Sequence, residues 1–523
     1  MFAARCVFLL LLALVASTRG ANILGLFSSH SPSHLIIHMS VAKALAEAGH
    51  NVTVVSMLKP TITHKDITVI VVPMKKEQEL VMENQMSVMA GQKNSLFSTM
   101  NRILNDMDVM IKAQAELLSD PRFLRIYETK FDLMILGYFI NDFQLGVAAK
   151  LKVPVIVDWM SAPVPIIEKF TGNPSEISYV PIMGTVVTHP MTFFNRIENL
   201  AKSLIFKYII VAFEYKLFSI YKEVFPAKDQ PTLHELRKNI SMVFVGCHLN
   251  SEGPIRALVP AIVEIGGIQV KDKPDPLPKD IDTFLNKSKQ GAVFLSLGSN
   301  IKSSSVKPEI IQTLFKVLSG LKQNVIWKWE DLEKTPGNAS NILYKNWLPQ
   351  DDILAHPNTK IFITHAGKGG ITEAQYHGVP MVALPIFGDQ HGNAGVMEKS
   401  GYGVALDLLT ITEDSLKEAV QKVLGNEKYG QAIGKFSALY RDRPLSAKQL
   451  VVYWTEYILK HRGAPHLQSP AVHMSFIELN NLDIYALILT ILGLFVFLTR
   501  LVVKLIWKKL WGTAKISEAK KKQ

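Results

Sequence analysis

The sequence predicts an α/β fold with two parallel-sheet domains, because apolar runs of strand length alternate with longer helical runs in both halves of the chain. The first half opens with a strand over 21–27, a helix over 35–48 and a strand over 51–57. A similar rhythm returns in the second half, at 291–297, 324–329, 361–364 and 381–385. With 523 residues, 48% of them hydrophobic, the chain can build two cores.

The two ends of the chain are predicted to lie outside these domains. Residues 1–20 carry Arg5, an apolar run and then small residues, the layout of a cleaved secretory signal, although a buried first helix is the alternative. The run 484–499 contains no charge, and with 500–503, where Arg500 can snorkel toward the headgroups, it reaches 20 residues, which is long enough to span a bilayer. The tail 504–523 is strongly basic, which places it in the cytoplasm and the bulk of the chain in the lumen.

Charge gives no reason to expect a nucleic-acid partner. Most of the formal net charge of +12 comes from the signal and the basic tail. The tail ends KKKQ, so that Lys520 and Lys521 resemble the dilysine retrieval signal of endoplasmic reticulum membrane proteins. An ordinary polybasic membrane anchor is the alternative.

Cysteines and sequons agree with a luminal location. The chain has two cysteines, and Cys6 leaves with the signal, so Cys247 has no intrachain disulfide partner. Glycosylation sequons occur at Asn51, Asn239, Asn286 and Asn338.

Composition also divides the chain into segments. The charged, proline-rich piece 271–280 is the expected linker between an N-terminal domain over 21–270 and a C-terminal domain over 281–440. An amphipathic segment over 441–483 and a membrane helix over 484–503 follow.

The second half carries a glycine-rich turn between a strand and a helix. The strand 361–364 is followed by HAGKGG at 365–370, and a helix is predicted from Ile371. Backbone N–H groups at such a helix start, together with the helix dipole, form an anion site that suits a diphosphate. Many α/β proteins have such a turn, so alone it is weak evidence.

The residues around this turn sharpen the prediction. Trp347 offers a face for stacking a base, His365 can donate to a phosphate oxygen, and Glu373 can accept from ribose hydroxyls. Asp389 and Gln390 can bind sugar hydroxyls. Each residue alone also has a structural interpretation, such as core packing for Trp347 or turn formation for Asp389.

In this order and spacing, the stretch 347–393 closely resembles the signature of the UDP-glycosyltransferases, the animal membrane-bound family related to UDP-glucuronosyltransferases. The resemblance also covers the signal, SLGS at 296–299 and the lysine tail, and its character is closer to invertebrate members. It implies the GT-B fold, with two Rossmann-like domains that face a cleft. The donor would bind the C-terminal half and the acceptor the N-terminal half.

The resemblance also implies which residues bind the donor. Trp347 would stack on uracil, with Gln350 and Glu373 near the ribose and uridine. The diphosphate and the sugar would be bound by a second set, which comprises Ser299, His365, Gly367, Gly370, Asp389 and Gln390.

The glycine-rich turn departs from the family pattern. Where the family has H-G-G-T-N-G, this chain has Ala366, Lys368 and Gly369, so the asparagine contact to phosphate is missing. Lys368 can compensate as a point charge.

The stretch SSHSPSHLIIHMS over 28–40 contains the predicted catalytic base. The family's catalytic histidine stands sixteen residues before the histidine of a Gly-His pair, and here Gly49 and His50 point back to His34. Neutral imidazole can take the proton of an attacking hydroxyl. A metal site on His34 and His38, four residues apart, is the alternative that the spacing allows, although we expect no metal and no cofactor besides the UDP-sugar co-substrate.

The imidazolium that forms is expected to need a carboxylate partner. The family's aspartate aligns with Gly137, so Asp142, five residues on, is the nearest replacement, with Asp132 as a weaker candidate. Capping of the helix that follows is the structural alternative for Asp142.

The expected reaction is inverting transfer of a hexose from a UDP-sugar, preferably UDP-glucose with UDP-glucuronate as the alternative, to small lipophilic acceptors in detoxification or metabolite conjugation. The acceptor pocket is expected from 80–130 and 158–230, which are rich in Met and Phe. A UDP-sugar-binding member with little turnover and a single-pass receptor ectodomain are the alternatives. Location is expected in the endoplasmic reticulum membrane, single-pass with a luminal catalytic part, and oligomerisation is left open.

Overall fold

The computed structural model describes residues 20–91, 96–182, 185, 187–226 and 230–520. The predicted signal, apart from Gly20, and Lys521 of the predicted retrieval signal lie outside the described residues. The chain separates into two compact units, one that ends at Ser469 and one that begins at Pro470.

The first unit begins with a sheet of seven parallel strands in the order β3-β2-β1-β4-β5-β6-β7. Its four central strands β1, β4, β5 and β6 are almost wholly buried, as expected for a parallel sheet covered on both faces, whereas the edge strand β3 is partly exposed. The order reverses between β1 and β4, which opens a crevice at the carboxyl ends of the strands. The strands are β1 Asn22–Phe27, β2 Asn51–Ser56, β3 Ile67–Val71, β4 Leu133–Gly137, β5 Val155–Trp159, β6 Ile240–Val245 and β7 Ile262–Glu264.

In the described residues, nine α-helices lie between these strands. The first begins at Pro32, three residues before the predicted start, because the fixed φ of proline suits the first helical position and Ser31 before it is extended. This start places His34 in the first helical turn. The helices are α1 Pro32–Glu47, α2 Lys76–Gly91, α3 Leu96–Leu117, α4 Pro121–Leu124, α5 Leu145–Leu151, α6 Pro165–Thr171, α7 Phe193–Val224, α8 Leu233–Lys238 and α9 Leu249–Glu252.

A second parallel sheet of six strands follows in the same unit, in the order β10-β9-β8-β11-β12-β13. Its strands are β8 Ala292–Ser296, β9 Asn324–Lys328, β10 Ile342–Lys345, β11 Thr359–Thr364, β12 Met381–Ala383 and β13 Gly403–Ala405. Its helices are α10 Lys279–Asn286, α11 Pro308–Ser319, α12 Gln350–Ala355, α13 Lys368–His377, α14 Gln390–Lys399, α15 Glu413–Leu424 and α16 Glu427–Arg441.

After the second sheet the chain returns to the first core. Helix α17, Ala447–Lys460, packs against α1 and places Val451 and Ile458, both fully buried, in the same cluster as the first sheet. The segment between the two sheets is also held by a hydrogen bond. The side-chain ammonium of Lys271, in this segment, donates to the carboxylate of Asp352 in α12.

The second unit is a short helix and a long one. Helix α18 spans Phe476–Leu479 and helix α19 spans Leu482–Lys520. Within α19, the stretch Leu482–Trp511 is long and apolar enough to cross a membrane, and the mean hydropathy of an 18-residue window in it is 2.5. The predicted span 484–503 lies inside this stretch.

The carboxylate of Asp142 has a structural partner. Asp142 is fully buried directly after β4, and its Oδ2 accepts from Nε of Arg237 in α8. The guanidinium of Arg237 also donates to Glu214 of α7, at 2.8 Å. These three charges join α7, α8 and the end of β4.

This network corrects the sequence-based expectation for Asp142. In the described part of the chain no hydrogen bond joins Asp142 to His34, and neither the turn at Asp142 nor α5 has a side-chain cap. Asp132 is no substitute, since it accepts from the backbone N–H of Asn22 at 2.9 Å, at the amino ends of the strands.

We expect Asp142→Asn to lower the free energy of unfolding by about 3 kcal/mol, because breaking a buried ion pair leaves an uncompensated charge. Unfolding of the purified full-length chain in urea would measure the change. The control is Asp132→Asn, on an exposed carboxylate. Unchanged unfolding together with lost activity would return Asp142 to a catalytic role.

Candidate functional site

The loops after β1 and β8 meet at one cleft. Ser31 Oγ, from the first loop, donates to Asn300 Oδ1, from the second, at 2.8 Å. Close by, Lys302 pairs with Glu83 of α2 at 3.1 Å. The carboxyl ends of both sheets therefore face the same space, which is where parallel α/β sheets bind ligands.

His34 lies at the first-sheet side of this cleft. Its Nδ1 is 3.0 Å from Ser29 Oγ, and its ring lies 5.0 Å from that of Phe139. Burial, helped by the nearby His38 and His30, lowers the pKa of His34 to about 3. The imidazole is therefore neutral at physiological pH, which is the form that can take a proton.

One turn deeper, His38 pairs with a carboxylate. Its Nδ1 lies 2.7 Å from Asp158 Oδ2, and both side chains are fully buried. The ring of Phe27 stacks on His38, with centroids 5.1 Å apart. On α1 it is therefore His38 that pairs with an aspartate, while the partner of His34 is the hydroxyl of Ser29.

Gly137 is a packing requirement of this pair. A Cβ at Gly137 would lie 2.9 Å from Cδ2 and Nε2 of His38 and 3.0 Å from the ring of Phe27. The place at which the family resemblance suggested an aspartate is thus next to the buried imidazole. Because glycine has no side chain, the imidazole of His38 can occupy the space next to position 137.

The side of the cleft that is expected to bind the donor includes His365, which directly follows β11. Its imidazole fits against two glycines, since a Cβ on Gly298 would lie 2.5 Å from its Cε1 and one on Gly367 would be closer still to its Nε2. Gly298 also has a φ of +90°, which favours glycine. Burial, followed by the charge of Lys328, lowers the pKa of His365 to about 4, so it is a neutral N–H donor. Ser299 is the partly exposed neighbour of Gly298.

Helix α13 begins at Lys368, three residues earlier than predicted, so that Gly369 and Gly370 belong to its first turn. Ala366 replaces the expected glycine and has a φ of +63°. The backbone N–H groups of this turn point out of the helix start, where they can bind an anion.

Lys368 is bound by the opposite half of the cleft. Its Nζ donates to Glu252 Oε2 of α9 at 2.6 Å, and both side chains are largely buried. The ammonium that was expected to replace the missing asparagine contact is therefore held by a carboxylate in this structure. The pair joins the elements after the two sheets.

Two of the three predicted uridine residues, Gln350 and Glu373, are in contact. Gln350 Nε2 donates to Glu373 Oε2 at 2.5 Å, and a Cβ on Gly370 would lie 3.3 Å from the same amide nitrogen. Burial, followed by the charge of Asp351, raises the pKa of Glu373 to about 8. Trp347 is 50% exposed, and with residues of α1 and of the loop after β2 it lines a cavity of about 170 Å³.

The predicted sugar residues flank the start of α14. Asp389 Oδ2 accepts from Asn393 at 2.7 Å, and burial raises the pKa of the Asp389 carboxyl. Gln390 Oε1 accepts from the backbone N–H groups of Ile386 and Phe387, at 2.8 and 3.0 Å. The side-chain oxygen of Gln390 therefore shapes the loop before the helix.

The expected acceptor regions reach this cleft at two places. Gln114 of α3 donates to the carbonyl of Phe139, whose ring contacts His34, at 3.4 Å. A Cβ on Gly392 of α14 would lie 2.9 Å from the carbonyl of Thr185. Within these regions, residues 92–95, 183, 184, 186 and 227–229 lie outside the described part of the chain.

Some site residues were not found from the sequence. They are Ser29, Asp158, Glu252, Gly298 and Asn300. Gly298 could have been found, because it lies within the SLGS motif; the others become partners only through the fold. Within the described residues, no group of three or more His, Cys, Asp or Glu side chains could hold a metal ion.

We expect Glu373→Gln to change the pH dependence of stability. In the unfolded chain a glutamate ionises near pH 4.5, whereas burial raises the pKa of Glu373 to about 8 in the folded protein. The folded protein retains the proton longer, so this group makes the wild type less stable as pH rises from 4.5 to about 8. Melting temperatures should therefore diverge in favour of the variant across this window and stay parallel below it.

Glu418→Gln, on an exposed face of α15, controls for loss of a negative charge. If the difference in melting temperature between Glu373→Gln and the wild type does not vary with pH, the pKa of the Glu373 carboxyl is not raised in the folded protein.

Comparison with known proteins agrees with this geometry. Residues 26–517 match the family described as "UDP-glucoronosyl and UDP-glucosyl transferase". The chain is 33% identical to UDP-glucosyltransferase 2 of Dactylopius coccus, over 97% of both chains, and 31% identical to human UDP-glucuronosyltransferase 1A6, over 89% of this chain and 88% of that one.

The fold has solved relatives as well. The crystal structure of the glycotransferase of kitacinnamycin superposes with a TM-score of 0.54 at 17% identity, over 85% of this chain and all of that one. At this identity the likeness concerns the fold, which is GT-B. The family match extends over both sheets and into the apolar C-terminal helix, so this chain belongs to the UDP-glucuronosyl and UDP-glucosyl transferases.

Proposed function

We propose that this transferase moves a hexose from UDP-glucose to a hydroxyl group of small lipophilic acceptors, with inversion at the anomeric carbon. The observation that carries the proposal is the neutral, partly exposed imidazole of His34 at the cleft where the two sheets meet. Similarity to UDP-glucosyltransferase 2 supports glucose as the sugar, with glucuronate as the alternative.

In this mechanism His34 acts as general base. With the proton of its imidazole on Nδ1, donated to Ser29 Oγ, the lone pair of Nε2 is available for the acceptor hydroxyl. The acceptor oxygen forms a bond to the anomeric carbon while the bond from that carbon to the phosphate oxygen breaks. The proton of the acceptor passes to His34, and UDP leaves.

The leaving diphosphate is bound by neutral donors and one cation. The N–H groups at the start of α13 and the imidazole of His365 supply hydrogen bonds. Lys368 supplies charge once phosphate oxygens replace Glu252 as its partner. Stabilisation of UDP in this way does not depend on a metal.

A second candidate, a family member that binds UDP-sugars with little turnover, is favoured by one contact. The partner of His34 Nδ1 is the neutral hydroxyl of Ser29, which stabilises an imidazolium less than a carboxylate does. Both candidates bind UDP, so product formation distinguishes them.

We expect His34→Ala to lower the transfer rate by about two to four orders of magnitude, since general-base catalysis is typically worth that much. UDP binding should remain, because the donor residues lie on the second sheet. The assay uses microsomes that contain the full chain, a panel of labelled UDP-sugars and phenolic or steroidal acceptors. UDP retention on an affinity resin is measured in parallel.

His30→Ala, in the loop just before α1, is the matched control and should change the transfer rate little. Ser29→Ala should lower kcat by about tenfold or less with little change in KM, as expected for loss of one hydrogen bond. Activity of His34→Ala above about a tenth of wild type would exclude the base assignment. Absence of product with every sugar in the wild type, with UDP binding intact, would favour the second candidate.

We further propose a location in the endoplasmic reticulum membrane, with the catalytic part in the lumen. The support is the apolar stretch Leu482–Trp511, the strongly basic tail that follows it and the sequons ahead of it.

Replacement of Lys520 and Lys521 by serine should move the protein to later compartments, if these lysines form a retrieval signal. The measurement is glycan processing together with immunostaining, and Lys508→Ser with Lys509→Ser serves as the charge-matched control. Glycans that remain high-mannose and unchanged staining would exclude retrieval by this signal.

A further inference from the structure

The ion pair of Lys368 with Glu252 joins the two halves of the cleft at the start of α13. The ammonium Nζ of Lys368 donates to Glu252 Oε2 at 2.6 Å, and the two side chains are only 15% and 12% exposed. Glu252 ends α9, after β6 of the first sheet, whereas Lys368 begins α13, after β11 of the second sheet. A carboxylate of one half is therefore bound to the lysine of the glycine-rich turn in the other half.

This ion pair uses the cation that a bound diphosphate needs. The free N–H groups in the first turn of α13 and the ammonium of Lys368 are the groups expected to bind phosphate oxygens. If one ammonium served both anions, the carboxylate of Glu252 and the diphosphate would lie next to each other in a partly buried site, which is costly. Glu252 and the donor therefore compete for Lys368.

A second set of hydrogen-bond donors lies beside α9. This helix packs against α16, which carries Tyr440, and Arg443 follows α16 in the chain. The guanidinium of Arg443 lies over the ring of Tyr440, 4.5 Å from its centroid, and donates to the carbonyls of Tyr440 and Gly266, at 2.9 and 2.8 Å. Arg443 Nη2 and Tyr440 Oη are buried, and neither makes a hydrogen bond of acceptable geometry within the described residues.

Glu252 is close enough to act on these groups. Its Oε1, the oxygen that Lys368 does not bind, is buried and has no hydrogen-bond partner in the described part of the chain. Burial, followed by the charge of Glu252, raises the pKa of the Tyr440 phenol. Since buried polar atoms are rarely left unpaired in folded proteins, these three atoms indicate a second arrangement of hydrogen bonds.

We propose that Glu252 competes with the donor for Lys368 and moves to Arg443 and Tyr440 when UDP binds. In the empty cleft the carboxylate neutralises Lys368. Once the diphosphate takes Lys368, the carboxylate accepts from Arg443 Nη2 and Tyr440 Oη, so the displaced charge keeps two donors. The proposal rests on the donor site of the proposed function, with UDP at the start of α13, but not on the sugar or on His34.

Glu252→Gln tests the competition. Glutamine keeps the size of the side chain and removes its charge, so Lys368 is no longer neutralised in the empty cleft. If the ion pair is formed about nine-tenths of the time, its loss should lower the Kd of UDP about tenfold, because apparent affinity scales with the binding-competent fraction. Calorimetric titration of the full chain with UDP, in detergent micelles, measures this change.

Glu83→Gln is the matched control. Glu83 forms another ion pair across the cleft, with Lys302 at 3.1 Å, and this pair does not involve Lys368. Loss of its charge should leave the Kd of UDP within about twofold of the wild-type value. An equal fall of Kd in both variants would overturn the proposal, since the effect would then be one of net charge. Intact UDP binding that Glu252→Gln leaves unchanged or weakens would also overturn it, while the proposed function would stand.

Tyr440→Phe tests the second position of the carboxylate. In the empty protein the phenol oxygen has no hydrogen-bond partner among the described residues, so its removal should leave the melting temperature unchanged or slightly higher. With UDP bound, Glu252 loses one of its two donors. The Kd of UDP should therefore rise about tenfold or more, as expected for one hydrogen bond to a charged group.

The double variant distinguishes this role from a structural one. In the Glu252→Gln background no carboxylate is displaced, so Tyr440→Phe should change the Kd of UDP little. An effect of Tyr440→Phe that is equally large in both backgrounds would overturn the second position. If UDP bound neither the wild type nor any variant, the donor site itself would be wrong, and this proposal with it.

Discussion

The architecture depends on two parallel sheets that point their carboxyl ends at one cleft. Because the strands of a parallel sheet all run in the same direction, the loops that follow the strands all lie at one edge of the sheet. Two contacts join these edges across the cleft, the hydrogen bond of Ser31 with Asn300 and the ion pair of Lys368 with Glu252. Every candidate site residue except Asp142 takes its role from this arrangement.

Packing around His38 explains why glycine stands at position 137. The buried pair of His38 and Asp158 and the ring of Phe27 occupy the space next to Gly137, at which a side chain would collide with the imidazole. His34, one turn nearer to the cleft, is consequently oriented by Ser29. The two histidines on this face of α1 therefore have different environments. His38 is buried and paired with Asp158, whereas His34 faces the cleft.

Burial also determines the charges of the cleft. It lowers the pKa of His34 and of His365 and raises that of Glu373, so all three groups tend toward their neutral forms. Neutral imidazoles suit a base and a phosphate donor respectively. The cation nearest to the glycine-rich turn, Lys368, is compensated by Glu252. A donor diphosphate would therefore bring negative charge to a site in which fixed charges are already balanced.

The sequence by itself determined the features that depend on neighbouring residues. Alternation of strands and helices predicted two parallel α/β halves, and the stretch around His365 predicted the glycine-rich turn between a strand and a helix, since such periodicities and turns are local. Only the tertiary structure decided which side chains pair with one another. His38 meets Asp158 and Asp142 meets Arg237 across 120 and 95 positions of the chain. Spacing along a chain carries no information about contacts between distant elements, because those depend on how strands and helices are oriented when they pack.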